Sequence, residues 1–184
     1  MSKILITGTG RCGTTYLIKL FTFLDFDTGY DKTNYSNYIF KNCNSGMEQQ
    51  HTANYHVIKN PDFLKNIDDI IKSGTSIQCV VIPVRDFEEA ARSREKLGPE
   101  VAGGLLCAKN KDEQILYYNK IMSKYICIMT KYDINTIFID FYRMISDKTY
   151  LYDKLKAIFD EKNIDFEKFS IEYDIVSESS KPKS

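Results

Sequence analysis

Ile4-Leu5-Ile6-Thr7-Gly8-Thr9-Gly10-Arg11-Cys12-Gly13-Thr14-Thr15 is the stretch that decides the fold. A short apolar run ends at a glycine and predicts a buried strand. A glycine-rich turn follows, and Thr14 to Leu24, apolar on nearly all sides, predicts a buried helix. Strand, glycine turn and helix in this order make an anion cradle. Glycines let successive N–H groups point inward, and the new helix adds the positive end of its dipole. Arg11 adds a full charge and a fork of donors suited to oxyanions, and Thr14 and Thr15 add hydroxyls.

Working outward, the same alternation recurs. Phe26 to Gly29 reads as a short second strand, and Tyr55 to Lys59 as another. Asn60 and Pro61 open a helix that runs to Ser73 and stops at Gly74. Ile77 to Val84 is nearly all apolar, as a central parallel strand should be. Asp86 and Glu89 have capping-box spacing and open a helix that ends near Gly98-Pro99. Helices are expected over 112–131 and 148–162, a strand over 136–141, and a frayed polar tail from Ser177. Alternating strands and helices imply a single α/β domain spanning 1–184, a three-layer parallel sheet flanked by helices. Ligands in such folds sit at the carboxyl ends of the strands. Gly8, Lys59, Arg85 and Phe141-Tyr142 all fall just past expected strand ends.

Composition narrows the partners. The 25 basic and 25 acidic residues cancel, so no global charge points to nucleic acid or to an anionic membrane. An anion site must be a local cluster. Ile4 to Ile6 is too short for a signal-peptide core, and the stretch from Tyr16 to Leu24 contains Lys19 and is too short to span a bilayer. The five cysteines lack C-x-x-C spacing and read as free thiols of a reducing, cytoplasmic compartment, with no metal site.

The spacing Gly8-x4-Gly13 matches the Walker A frame of P-loop proteins, which then requires lysine followed by serine or threonine. Thr14 stands where that lysine belongs, and the cation has moved to Arg11. The segment Arg11-Cys12-Gly13-Thr14-Thr15 resembles the 5′-phosphosulfate loop of sulfotransferases that use 3′-phosphoadenosine 5′-phosphosulfate (PAPS), with Cys12 where serine is common. A second likeness is Arg85 at a strand end and Ser93 eight residues later, the pair that clamps the 3′-phosphate in that family. A third is Lys59 in Val57-Ile58-Lys59-Asn60-Pro61, placed like the lysine that steadies the sulfuryl group. A fourth is Tyr142, similar to a tyrosine near the adenine, although Arg143-Met144 replace the family's acidic pair. The resemblance runs from Ile4 to about Phe159 and is dense at the loop and at 85–93. It implies a sulfotransferase-like fold and sulfuryl transfer from PAPS to a hydroxyl or amine of a small-molecule or carbohydrate acceptor. It further implies cofactor contacts from Gly10, Arg11, Cys12, Gly13, Thr14, Thr15, Arg85, Ser93 and Tyr142, and catalytic roles for Arg11 and Lys59.

Two departures matter. No Arg-Lys-Gly lies near the C-terminus; Lys181 and Lys183 sit in the tail, leaving Arg92 or Arg94 as substitutes. Pro61 occupies the place where phenol- and steroid-sulfating relatives carry a histidine base. Relatives acting on carbohydrates and on tyrosine use a carboxylate shortly after the first helix, which favours Asp31, with Glu48, His51 and His56 as alternatives. Segments 30–54 and 99–111 would wall the acceptor pocket.

Two rival classes stand beside this one. A P-loop kinase or nucleotide hydrolase would use Thr15 and a strand-end acid such as Asp140 on magnesium. A non-catalytic nucleotide-binding module would keep the fold without turnover. A tyrosine-phosphatase loop is excluded, because Ile18 stands where its arginine is needed after Cys12.

Overall fold

In the computed structural model, which describes residues 2–40, 43–98 and 103–180, four strands form one parallel sheet. They are β1 (Lys3–Ile6), β4 (Val57–Lys59), β5 (Ile77–Val84) and β6 (Thr136–Asp140), in the spatial order β4-β1-β5-β6. Between β1 and β4 lies a two-stranded antiparallel hairpin of β2 (Ile39–Phe40) and β3 (Ser45–Gly46). The helices are α1 (Thr14–Phe23), α2 (Phe63–Lys72), α3 (Phe87–Glu95), α4 (Lys111–Tyr132), α5 (Phe141–Ser146), α6 (Lys148–Asp160) and α7 (Phe166–Ser180).

Side chains alternate across a strand, so each strand feeds both faces of the sheet. Ile4 and Ile6 of β1 join Val57, Cys79, Val81 and Ile139 on one face, covered by α1, α6 and α7. Leu5 joins Ile58, Val80 and Ile82 on the other, covered by α2 and α4 through Phe63, Leu64, Ile67, Ile70, Tyr125 and Met129. Both faces are dry, which is why the strands read as continuous apolar runs. The expected three-layer α/β architecture is therefore present.

Several boundaries differ from expectation. Phe26 to Gly29 forms no strand; the Asp27 carbonyl accepts from Val57 N–H at 3.0 Å, but the chain then turns away at Gly29, whose φ is 72°. Asn60 does not cap α2: its side chain accepts from Asp62 N–H at 2.9 Å, forming a turn, and the helix starts at Phe63. Asp86 behaves as its spacing predicts and accepts from Glu89 N–H at 2.9 Å. The tail from Ser177 is not frayed up to Ser180, because it completes α7. Phe169, Tyr173 and Val176 of that helix are buried, the Ser177 hydroxyl lies 2.8 Å from the Tyr16 hydroxyl, and Lys19 donates to Ser179. Pro99, the first residues of the expected 99–111 wall, and Lys181 and Lys183 lie outside the described residues.

Candidate functional site

Three adjacent strand tips build the site. β1 delivers the glycine loop, β4 delivers Lys59 on one side, and β5 delivers Arg85 on the other. Thr7 anchors the end of β1. Its hydroxyl donates to the Pro61 carbonyl at 3.1 Å and accepts from Leu64 N–H at 2.9 Å, tying the loop's root to α2.

The loop bends as its glycines suggest. Gly10, Arg11 and Gly13 all have positive φ, at 81°, 57° and 92°. Arg11 pays a strain that glycine would not, of about 1–3 kcal/mol. Among the described residues, no protein oxygen accepts from the backbone N–H groups of Gly8 to Thr15; Leu17, bonded to Gly13, is the first amide to rejoin the network. Apart from that of Gly10, which faces the Cys12 sulfur, the orphan amides of the α1 N-terminus and the loop thus remain available to an anion. Cys12 is fully buried behind them, and burial pushes its thiol well up, so it packs rather than reacts.

Guanidinium groups crowd this loop. Arg11 donates from Nε to the Ser93 hydroxyl at 3.1 Å and from Nη1 to the Cys43 carbonyl. Arg85 reaches the Arg11 carbonyl from Nη1 at 3.4 Å and the Glu89 carboxylate from Nε at 3.4 Å. Its Cζ lies 4.9 Å from the centre of the Phe141 ring and 5.9 Å from that of Tyr142. Arg94, only 7% exposed, donates to the Tyr118 hydroxyl at 2.7 Å, to the Gly104 carbonyl, and to the Thr9 carbonyl at 3.3 Å. Among the described residues neither Arg11 nor Arg94 has a carboxylate partner. The pKa of Arg11 is lowered, chiefly by burial and further by the charges of Arg94 and Arg85. A concentration of positive charge that the protein does not itself neutralise is a place for an anion.

On the β4 side, Lys59 is 1% exposed. Its ammonium donates to the Gly46 carbonyl at 2.8 Å and to Glu48 at 2.6 Å. An ammonium carries three donors, so two are used here. Burial lowers the lysine's pKa and Glu48 opposes that shift. Burial likewise pushes the nearby Tyr30 phenol up to about 12, with the charge of Glu48 adding to the effect.

The sequence-derived residues are thus placed as follows. Gly10 to Thr15, Arg11, Arg85 and Ser93 come together, and Tyr142 flanks Arg85, exposed. Lys59 gains Glu48 as its partner. Asp31 is not brought to Lys59; its carboxylate accepts from Thr33 and Asn34 in a tight turn, which lowers its pKa. It lines a groove of about 460 Å³ with Asp25, Asp27 and Lys162. His56 precedes β4, at the wrong end of the strand for this crevice, and contacts Gln78 at 3.0 Å. His51 is half-buried in the segment between β3 and β4. Asp140 caps α5 by accepting from Arg143 N–H at 2.8 Å. Arg92 pairs with Glu88 on the exposed face of α3 and stays out of the site. Phe141 falls at the strand end its sequence position indicates, whereas the Cys43 carbonyl, Gly104 and Tyr118 are brought to the loop only by the tertiary fold. No protein-family model, curated protein or solved structure was found to match this chain.

Proposed function

We propose that this protein binds a nucleotide carrying two anionic ends at the Gly8–Thr15 loop and Arg85, and that its reaction is sulfuryl transfer from PAPS to a hydroxyl or amine. The observation that carries this reading is the meeting of Arg11, Ser93 and Arg85 beside amides that no protein oxygen accepts from. The residues present fit a doubly anionic group: unpaired N–H donors line the loop, and its arginines outnumber their carboxylates.

Bound there, PAPS would supply an activated sulfuryl group. The chain's own residues then have separable duties. Loop amides and Arg11 would hold oxyanions by fixed dipoles and charge, with no reorganisation needed. Arg85 and Ser93 would take the nucleotide's other phosphate, and Phe141 and Tyr142 stand next to Arg85 as flat surfaces for a base. Lys59 would place its buried positive charge near the transferred group. Glu48, held by Lys59 and with a side chain 36% exposed, is the carboxylate best placed to accept the acceptor's proton, in preference to Asp31. Arg94 has each of its three nitrogens committed to the protein, so it would brace the loop rather than bind the 3′-phosphate directly.

A thermal-shift comparison tests the nucleotide class. Adenosine 3′,5′-bisphosphate without magnesium is expected to raise the melting temperature, by mass action on the folded state. Stabilisation only by ATP with magnesium would instead support the kinase reading. Transfer of labelled sulfate from PAPS, lost in Glu48→Gln and Lys59→Met, would establish the reaction.

A further inference from the structure

The segment between α1 and β4 gathers tyrosines around the Lys59–Glu48 pair. Lys59 holds the Gly46 carbonyl at 2.8 Å, and Gly46 pairs with Ile39 in the hairpin. Met47 N–H donates to the Tyr38 carbonyl at 2.9 Å, which fixes Tyr38 to the same hairpin. The Tyr38 ring meets the Tyr30 ring edge-on, with centroids 4.9 Å apart. The Tyr55 ring lies against Gly29, where an added Cβ would stand 2.5 Å from ring atoms. With φ at 72°, Gly29 is both the conformation and the clearance that seat Tyr55. Tyr30 therefore has Tyr38 on one flank and Gly29, its chain neighbour carrying Tyr55, on the other.

Tyr30 is half-buried against the core, and the rings beside it are not core. Tyr38 is 52% exposed, Phe40 54% and Tyr55 36%. Large aromatics clustered in water beside a candidate site mark a binding surface, where single exposed ones would not. Among the described residues, three charged groups near these rings are held within the protein. Glu48 has Lys59, Lys32 has Glu172 at 2.6 Å, and Asp31 is bound into its turn. Asp25, Asp27, Asp31, Lys32 and Lys162 line the groove beside Tyr30, and their mixed signs single out no charged acceptor. The same segment carries exposed amides at Asn37, Asn44, Gln50 and Asn54, which donate to and accept from hydroxyls. Open amphipathic rings with neutral polar neighbours suit a molecule with an apolar C–H face and a rim of hydroxyls. An aromatic acceptor would call for an enclosed apolar slot instead.

We infer that Tyr30, Tyr38 and Tyr55 form a wall that receives a neutral saccharide, presenting one of its hydroxyls toward Glu48. As the acceptor's identity, this rests on the sulfuryl-transfer reading; as a binding site, it does not. The test uses the full chain with ¹³C-labelled tyrosine rings, titrated with neutral oligosaccharides built of glucose, galactose or N-acetylhexosamine units, and separately with 2-naphthol. Ring shifts on at least one saccharide are expected, with affinity about tenfold weaker in Tyr38→Ala and in Tyr55→Ala. Both variants should bind adenosine 3′,5′-bisphosphate as the parent does. The wall is overturned if no saccharide moves the tyrosine signals, if only 2-naphthol does, or if the two variants bind saccharide unchanged. Saccharide binding in a protein that ignores the bisphosphate would uphold the wall and sink the sulfuryl-transfer reading alone.

Discussion

The side chain of Arg11 donates to the hydroxyl of Ser93, 3.1 Å away and 82 residues distant in sequence. One residue belongs to the turn after the first strand and the other lies in the helix after the central one. Their contact makes the glycine loop and the Arg85–Ser93 segment parts of one site. Replacing Arg11 by alanine is expected to lower transfer by about 10²–10³-fold, the range for loss of one fixed donor to a developing anion. The fold should persist, since Arg11 is only half-buried. Steady-state kinetics alongside a circular-dichroism melt would check both halves.

Gly10→Ala tests the loop's conformation. A Cβ at this position would stand 2.0 Å from the Arg94 guanidinium, on a backbone with φ of 81°. Either Arg94 leaves the Thr9 carbonyl or the loop shifts. A destabilisation of about 2 kcal/mol is expected, a fall in melting temperature of about 4–8 °C. Calorimetry reads it, and anion affinity should fall with it.

Lys59 makes a pH prediction whose sign follows from its causes. Burial lowers its pKa and Glu48 raises it. Any step that needs the ammonium should therefore fail below the ordinary lysine value as pH rises. Glu48→Gln removes the raising influence and leaves burial, so the lysine should lose its proton at a still lower pH. An NMR titration of the Lys59 side chain in both proteins would show the order.

The C-terminal helix is expected to be structural. Phe169 is fully buried against Tyr152 and Phe159, with ring centroids 5.3 Å apart in both cases. Phe169→Ala should cost about 3–5 kcal/mol, measured by urea denaturation. Unchanged stability would mean that α7 does not pack as described.

Much of this was legible in the sequence. The runs Ile4 to Ile6 and Ile77 to Val84 announced strands buried on both faces, and Asp86 with Glu89 announced a cap, because those signals are local. The resemblance pairs Arg85 with Ser93, and in the structure both meet Arg11. The C-terminal helix is not legible locally: Ser177 and Ser179 look polar in isolation but bond Tyr16 and Lys19 from another helix. Glu48 stands in the sequence as one alternative to Asp31, but nothing local ties it to Lys59. Glu48 arrives through the short hairpin of β2 and β3, which has only two residues per strand and leaves no periodicity to read. Arg94 gave no sign of bracing the loop, because its partners Thr9, Gly104 and Tyr118 come from three separate segments.

Calorimetric titration of the parent and of Arg85→Ala with adenosine 3′,5′-bisphosphate and with adenosine 5′-phosphate tests the central claim most directly. If one nucleotide spans the loop and Arg85, removing the 3′-phosphate or removing Arg85 should cost similar affinity, and doing both should cost little more than either alone. Equal affinity of the parent for the two nucleotides, or an undiminished preference for the bisphosphate in Arg85→Ala, would contradict it.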